Sequence, residues 1–291
     1  MTDNITRTPT DLAPYQRSVL QRIGQRVLSL QPTTIIAIII LVIALVAAVA
    51  PQLFTGQNPL VGTPSERLQK PSAAHWFGTD MLGRDLYARV IYGAVHTLTG
   101  AVLAVVVGLI LGATLGIIAG ASRQWVDDAI MRLTDVMLAI PTLLLSLSVL
   151  MLTGFGTINI AIAVGITTIA KFARLIRSDV ARVVRSEYVE AAYGSGGTFW
   201  RVLWRHVLPN SMNSAISLTA LQFGLAILEI STLSFLGFGS PPPTPEWGLL
   251  IAEGRNYIAT AWWLTTIPGL VVVAVVLSAN RLSRALIEGS K

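Results

Sequence analysis

Residues 97–119 read TLTGAVLAVVVGLILGATLGIIA, twenty-three positions without a charged side chain. A helix of about 20 apolar residues crosses the hydrocarbon core of a bilayer. Outward from this stretch, five more blocks of the same kind lie near 33–50, 129–152, 157–176, 211–236 and 264–282. The whole chain of 291 residues is 53% hydrophobic and only 12% charged, about half the charge of an ordinary soluble domain. The reading is an all-α integral membrane protein with about six transmembrane helices. The first block is too long, and begins too late, to be a cleaved signal peptide, so it counts as a span.

The charges set the orientation. With the N-terminus inside, the inner segments 1–32, 120–132, 171–210 and 281–291 carry 16 of the 21 Lys and Arg, and the outer segments carry Arg67, Lys70, Arg84, Arg89 and Arg255. The positive-inside rule then places both termini in the cytoplasm. The net charge of +6 belongs to this topology and gives no reason to expect nucleic acid. Residues 1–32 form a basic cytoplasmic segment, and within it 11–30 has Leu20, Ile23 and Val27 at helical spacing, as an interfacial helix would. Membrane lipid is thus an expected partner.

Two overlapping G-x-x-x-G steps, Gly108 to Gly112 and Gly112 to Gly116, lie in the second block. Such spacing lets another helix approach closely. Arg132 and Asp135, three apart, are expected to pair locally. Pro141 and Pro268 fall inside apolar blocks and are candidate breaks. The run Pro241, Pro242, Pro243 and Pro245 stiffens an outer loop.

The longest cytoplasmic connection, 177–210, includes residues 187–209, EYVEAAYGSGGTFWRVLWRHVLP. A helix over 177–193 is expected to end at Gly194, Gly196 and Gly197. Thr198 is placed to cap a second helix. On it Trp200, Leu203, Trp204 and Val207 fall on one face, and Pro209 is expected to end it at Leu208. A helix, a small-residue turn and an aromatic second helix suit a groove on a soluble partner. The Glu190 carboxylate is available there to a donor or cation.

Glu190-Ala191-Ala192, then Gly196, then Leu208-Pro209, resembles the EAA signature of ABC importer permeases. The segments WFGTDMLGRDLYARVIYG at 76–93, LSFLGFG at 233–239 and PPTPEWG at 242–248 are similar to the dipeptide, oligopeptide and nickel group, in its C-type subunit. The likeness runs from about residue 30 onward. It implies a type I ABC importer permease fold over 33–291, with a core at 93–285 and a coupling loop at 177–210. It implies the plasma (inner) membrane, a second homologous permease as heterodimer partner, two ABC ATPase subunits and an extracytoplasmic substrate-binding protein. ATP and Mg would be bound by the ATPases, with no cofactor in this chain. The implied coupling residues are Tyr188, Glu190, Ala191, Ala192, Gly196, Trp200, Leu208 and Pro209. The implied cargo is an oligopeptide or dipeptide, with nickel or another small solute as the alternative. Two positions depart from the pattern. His206 stands where Ile is common, and Val95-His96 replaces an Arg followed by an apolar residue, so an ion pair there would depend on pH.

No catalytic residue is legible. There is no G-x-x-x-x-G-K-[ST] loop, so the chain is not an ATPase by itself, and no G-x-S-x-G elbow. No cysteine is present, and His75, His96 and His206 lack metal-ligand spacing. A secondary transporter working without ATPases would need internal repeats, which are not evident. Glu229, late in the fifth span, is the candidate for the translocation path, since an intramembrane carboxylate is costly unless paired or near water.

Overall fold

The computed structural model describes residues 31–289. The expected interfacial helix at 11–30 lies outside them. Most of the described residues are helical, and among them an isolated bridge between Thr79 and Asp85 is the strand-like pairing. In chain order the helices are α1 (Pro32–Val49), α2 (Leu86–Ala121), α3 (Gln124–Ala139), α4 (Thr142–Thr153), α5 (Thr157–Val184), α6 (Glu187–Gly194), α7 (Phe199–Val202), α8 (Leu208–Ser211), α9 (Asn213–Phe235), α10 (Trp247–Gly254) and α11 (Trp263–Gly289).

Five of these, α1, α2, α5, α9 and α11, are long and apolar enough to cross a membrane; α3 and α4 together make a sixth candidate, bent by 97°. The bend falls at Pro141, the candidate break within the block read over 129–152. Its cause is local: Pro141 pushes Ile140 out of helical geometry, to φ −84° and ψ 130°. Pro268, in contrast, is carried inside α11 without a break.

α2 and α5 form the central pair. Gly108, Gly112, Gly116 and Gly120 make a groove along α2, and α5 lies in it. A Cβ at Gly112 would sit 2.6 Å from the Ile169 carbonyl oxygen, and one at Gly116 would sit 2.7 Å from that of Ala173. Gly165 of α5 returns the approach, its Cβ position being 2.9 Å from the Ala104 oxygen. The neighbour anticipated from the glycine spacing is therefore a helix of the same chain. Around this pair, α9 touches α2 and α5, α11 packs on α9, α1 lies against α11 and α2, and α10 sits between α9 and α11. Phe172, Ile176, Ile227, Ile230 and Leu233 are fully buried at the centre.

The inner ends are tied by charge. Asp127 accepts from Arg177, Nε to Oδ1 at 2.8 Å, and Asp135 pairs with Arg174. The local Arg132–Asp135 pair expected from spacing is replaced by these contacts from α3 to α5. Helix spacing shows neighbours on one helix but not those a bend brings in from another.

The outer end is closed by a second charged cluster before α2. Asp80 accepts from Arg84 Nε at 2.6 Å and from Arg89 at 3.2 Å, and Arg89 also reaches Glu253 at 2.9 Å. Arg89 is fully buried. Asp85 caps α2 by accepting from the Ala88 amide at 2.8 Å, and its other oxygen lies 2.9 Å from His75 Nδ1. Trp263 Nε1 donates to the Thr79 carbonyl at 3.3 Å and Trp247 Nε1 to that of Val90 at 2.9 Å. Residues 62–93 are in this way fastened to α10 and α11. His96, for which a pH-dependent ion pair was expected, has none among the described residues; it lines an outer concavity with Tyr92, Gln57 and Pro245.

Candidate functional site

The connection 185–212 is built by interruptions of regular helix. α5 stops at Val184, where Arg185 takes φ −88° and ψ 7°, and α6 begins two residues later. The single helix expected over 177–193 is thus two. The break turns α6 away from the direction of α5.

α6 ends in a tight turn. The amides of Ser195 and Gly197 donate to the carbonyls of Ala191 and Ala192, both at 3.0 Å. Gly196 sits at φ +83°, in the left-handed region that an L side chain rarely adopts, and its Cβ direction is open. Gly197 is confined instead by space: a Cβ there would lie 2.6 Å from the Ala192 oxygen and 2.8 Å from Val202 Cγ2. Thr198 precedes α7 in extended geometry, but its side chain makes no cap hydrogen bond, contrary to expectation.

Beyond the turn the second helix does not stop at Leu208. A wide π turn over Leu203–Val207 joins α7 to α8, and Leu208 is helical at φ −59° and ψ −48°. The proline ring would clash with the carbonyl four residues back in a regular helix; the wider turn admits Pro209 at the start of α8. The expected aromatic face also divides. Leu203 and Val207 are buried with Val189 and Val202, whereas Trp200 and Trp204 are 67% and 68% exposed.

The element therefore has a dry inner side and an exposed outer side. Val189, Val202 and Val207 hold it to the membrane helices, and Ser211 is buried at its end. Tyr188, Glu190, Ala191, Trp200 and Pro209 are exposed, and Ala192 and Leu208 are half-buried. Tyr188, Ala191, Ala192, Gly196, Arg201 and His206 line a concavity of about 420 Å³ on the outer side. Seven of the eight residues singled out in the loop fall on the element's exposed part or its rim, and Leu208 lies among those that anchor it. The sequence reading takes Gly197 only as a helix stop and leaves it out of the coupling residues, because the space that confines it is set by Ala192 and Val202 across the turn.

Glu229 lies in the outer third of α9, half-buried, with Oε2 buried and without a hydrogen-bond partner. It faces α5, where Thr167 and Lys171 act on it. The loop and Glu229 are separate regions joined through α9. No group of three or more His, Cys, Asp or Glu able to hold a metal occurs among the described residues.

A family profile described as "Binding-protein-dependent transport system inner membrane component" matches residues 112–289. The chain is 38% identical over 252 residues to the dipeptide transport system permease protein DppC of Alkalihalophilus pseudofirmus, covering 87% of this chain and 83% of that one. It is 38% identical over 216 residues to the glutathione transport system permease protein GsiD of Pectobacterium atrosepticum, covering 74% and 72%. In fold it is similar to a chain of an amino acid ABC transporter, with a TM-score of 0.56 at 19% identity, over 71% of this chain and 95% of that one. It is also similar to a chain of the MetNI methionine ABC transporter, with a TM-score of 0.55 at 14% identity, over 68% and 96%.

Proposed function

This chain belongs to the binding-protein-dependent transport system inner membrane component family, and from that premise we propose that it is the C-type permease of a peptide-importing ABC transporter. It is a multi-pass inner-membrane subunit of an ABC importer, a type I permease by fold. The family implies ATPase and substrate-binding partners. The finer reading has a homologous permease as heterodimer partner and two ATPases that bind ATP and Mg. A dipeptide or oligopeptide is delivered by an extracytoplasmic binding protein; relatives named for dipeptide and glutathione transport support that cargo.

Residues 33–291 act as the permease domain, with a core over 93–285, and 177–210 act as the coupling loop. The observation that carries the mechanism is the two-sided element at 187–211. Its apolar side is buried against the membrane helices, and its opposite side offers Tyr188, Glu190, Trp200 and Trp204 to solvent. Exposed tryptophans of this kind suit burial against a partner. When the ATPases close on ATP they draw the two coupling elements together, and the buried side passes that motion to α5 and α9. The cavity then opens outward, and hydrolysis resets it.

Co-purification of the assembled importer tests the docking. Glu190→Lys reverses one exposed charge without touching the buried side, so the permease stays inserted while the yield of ATPase falls by about tenfold, a loss of about 1.4 kcal/mol. ATPase recovery at the wild-type level would count against the coupling assignment.

A further inference from the structure

α5 and α9 carry two ionisable groups at membrane depth that make no direct ion pair, although Lys171 and Thr167 of α5 both act on the Glu229 carboxylate. Lys171 Nζ points to Gln222 Oε1 on α9, 3.5 Å away. Glu229, two turns further along α9, keeps Oε2 buried and without a hydrogen-bond partner. No ion pair joins Lys171 to Glu229 among the described residues. Seven residues separate Glu229 from Gln222, about 10 Å along the helix axis. Glu229 is the nearer to the outer face, six residues before Phe235, where α9 ends.

Each charge is costly at this depth unless something answers it. If the two existed only to hold α5 to α9, a direct pair would serve better, because the two side chains share one face between the helices. Both side chains are instead only half-buried. The spacing matches a small zwitterion. An extended dipeptide is about 7 Å long, and its terminal charges, with the reach of the two side chains, span the gap. We propose that Glu229 and Lys171 form a relay station for peptide termini. Glu229 receives the α-ammonium, and Lys171, steadied by Gln222, receives the α-carboxylate. The inference rests on the peptide reading above and deepens it by naming the part of the peptide that the permease touches. Capping either terminus removes one charge and leaves the opposite group unanswered in a low-dielectric site, where ionic hydrogen bonds are strong.

The test uses the complete importer, solubilised without its binding protein, so that only the permease cavity can select. Equilibrium dialysis measures binding of dialanine, N-acetyl-dialanine and dialanine amide. The wild type is expected to bind dialanine about tenfold more tightly than either capped form. Glu229→Gln abolishes the discrimination against N-acetylation but keeps that against amidation, and Lys171→Met does the reverse. If Glu229→Gln fails to assemble, Glu229→Asp substitutes for it: dialanine binds more weakly, yet N-acetylation is still penalised. Variants that alter both ratios equally, or neither, overturn the inference and leave the charges as helix packing or as contacts to the second permease. A parallel uptake assay with the binding protein present separates the two levels. Uptake of dialanine by a wild type that binds none in the cavity overturns the station alone. No uptake of any peptide overturns the peptide reading together with it.

Discussion

Gly196 and Gly197 stand side by side and are constrained in opposite ways. Gly196 has room for a side chain but a backbone at φ +83°. An L residue there carries a left-handed penalty of about 1–2 kcal/mol. Gly197 has an ordinary backbone and no room. Gly197→Val is therefore expected to reshape the turn and remove ATP-coupled uptake, while Gly196→Asn, a residue that tolerates the left-handed region, retains most of it. Uptake in reconstituted vesicles compares the two directly; equal loss would show that the turn geometry is not what matters. At the outer end, Arg89 is the residue to change. Arg89→Met leaves Asp80 and Glu253 to share Arg84 alone, and because breaking a buried pair outright costs about 3–5 kcal/mol, the loss here is a part of that. A lowered Tm in detergent, partly restored by adding Glu253→Leu, is the expected result. No change in Tm would show the cluster to be solvated in the membrane-embedded protein. The glycine turn is legible in the sequence, whereas the outer charged cluster is not. Arg84 and Arg89 were counted only as outer charges, because their acidic partners include one more than 160 positions away.

At the scale of elements, the apolar blocks identified the helices and the glycine steps identified an approach, because each is a local pattern with a fixed period. The partner in that approach, α5, is a tertiary fact. Gly112→Leu tests it: the added side chain meets the Ile169 carbonyl and Phe172 Cβ, each 2.6 Å from the first added carbon. Overpacking of this kind costs about 1–3 kcal/mol or more, and the variant should lose thermal stability and assembly together, whereas Gly269→Leu, with open space around it, should not. The two prolines show where sequence rules reach their limit. Pro141 and Pro209 impose the same preference on the preceding residue. At Ile140 it wins, and the span folds over. At Leu208 a π turn absorbs it, and the chain stays helical. The outcome depends on whether the turn before the proline has packing to hold it in the wider form. Leu203 and Val207, both buried, supply that packing.

For the molecule as a whole, topology is the property most open to direct measurement, since the natural chain has no cysteine. A single cysteine at Val61, 68% exposed, is expected to react with an impermeant maleimide from outside intact cells. One at Trp204 should react only after the inner face is opened. The opposite pattern would invert the orientation read from the distribution of Lys and Arg. One consequence of the architecture concerns the path that force takes through it. α2 runs unbroken for 36 residues from the charged outer clasp to the cytoplasmic rim, about 54 Å. The interlock with α5 leaves it little freedom to flex on its own. A rod of that length converts a small rocking at one end into a large excursion at the other: about 5° of tilt about the inner end carries the outer end through about 5 Å. Any such tilt would be felt most at the outer clasp, where Asp80, Arg89 and Glu253 bind the end of the rod to its neighbours.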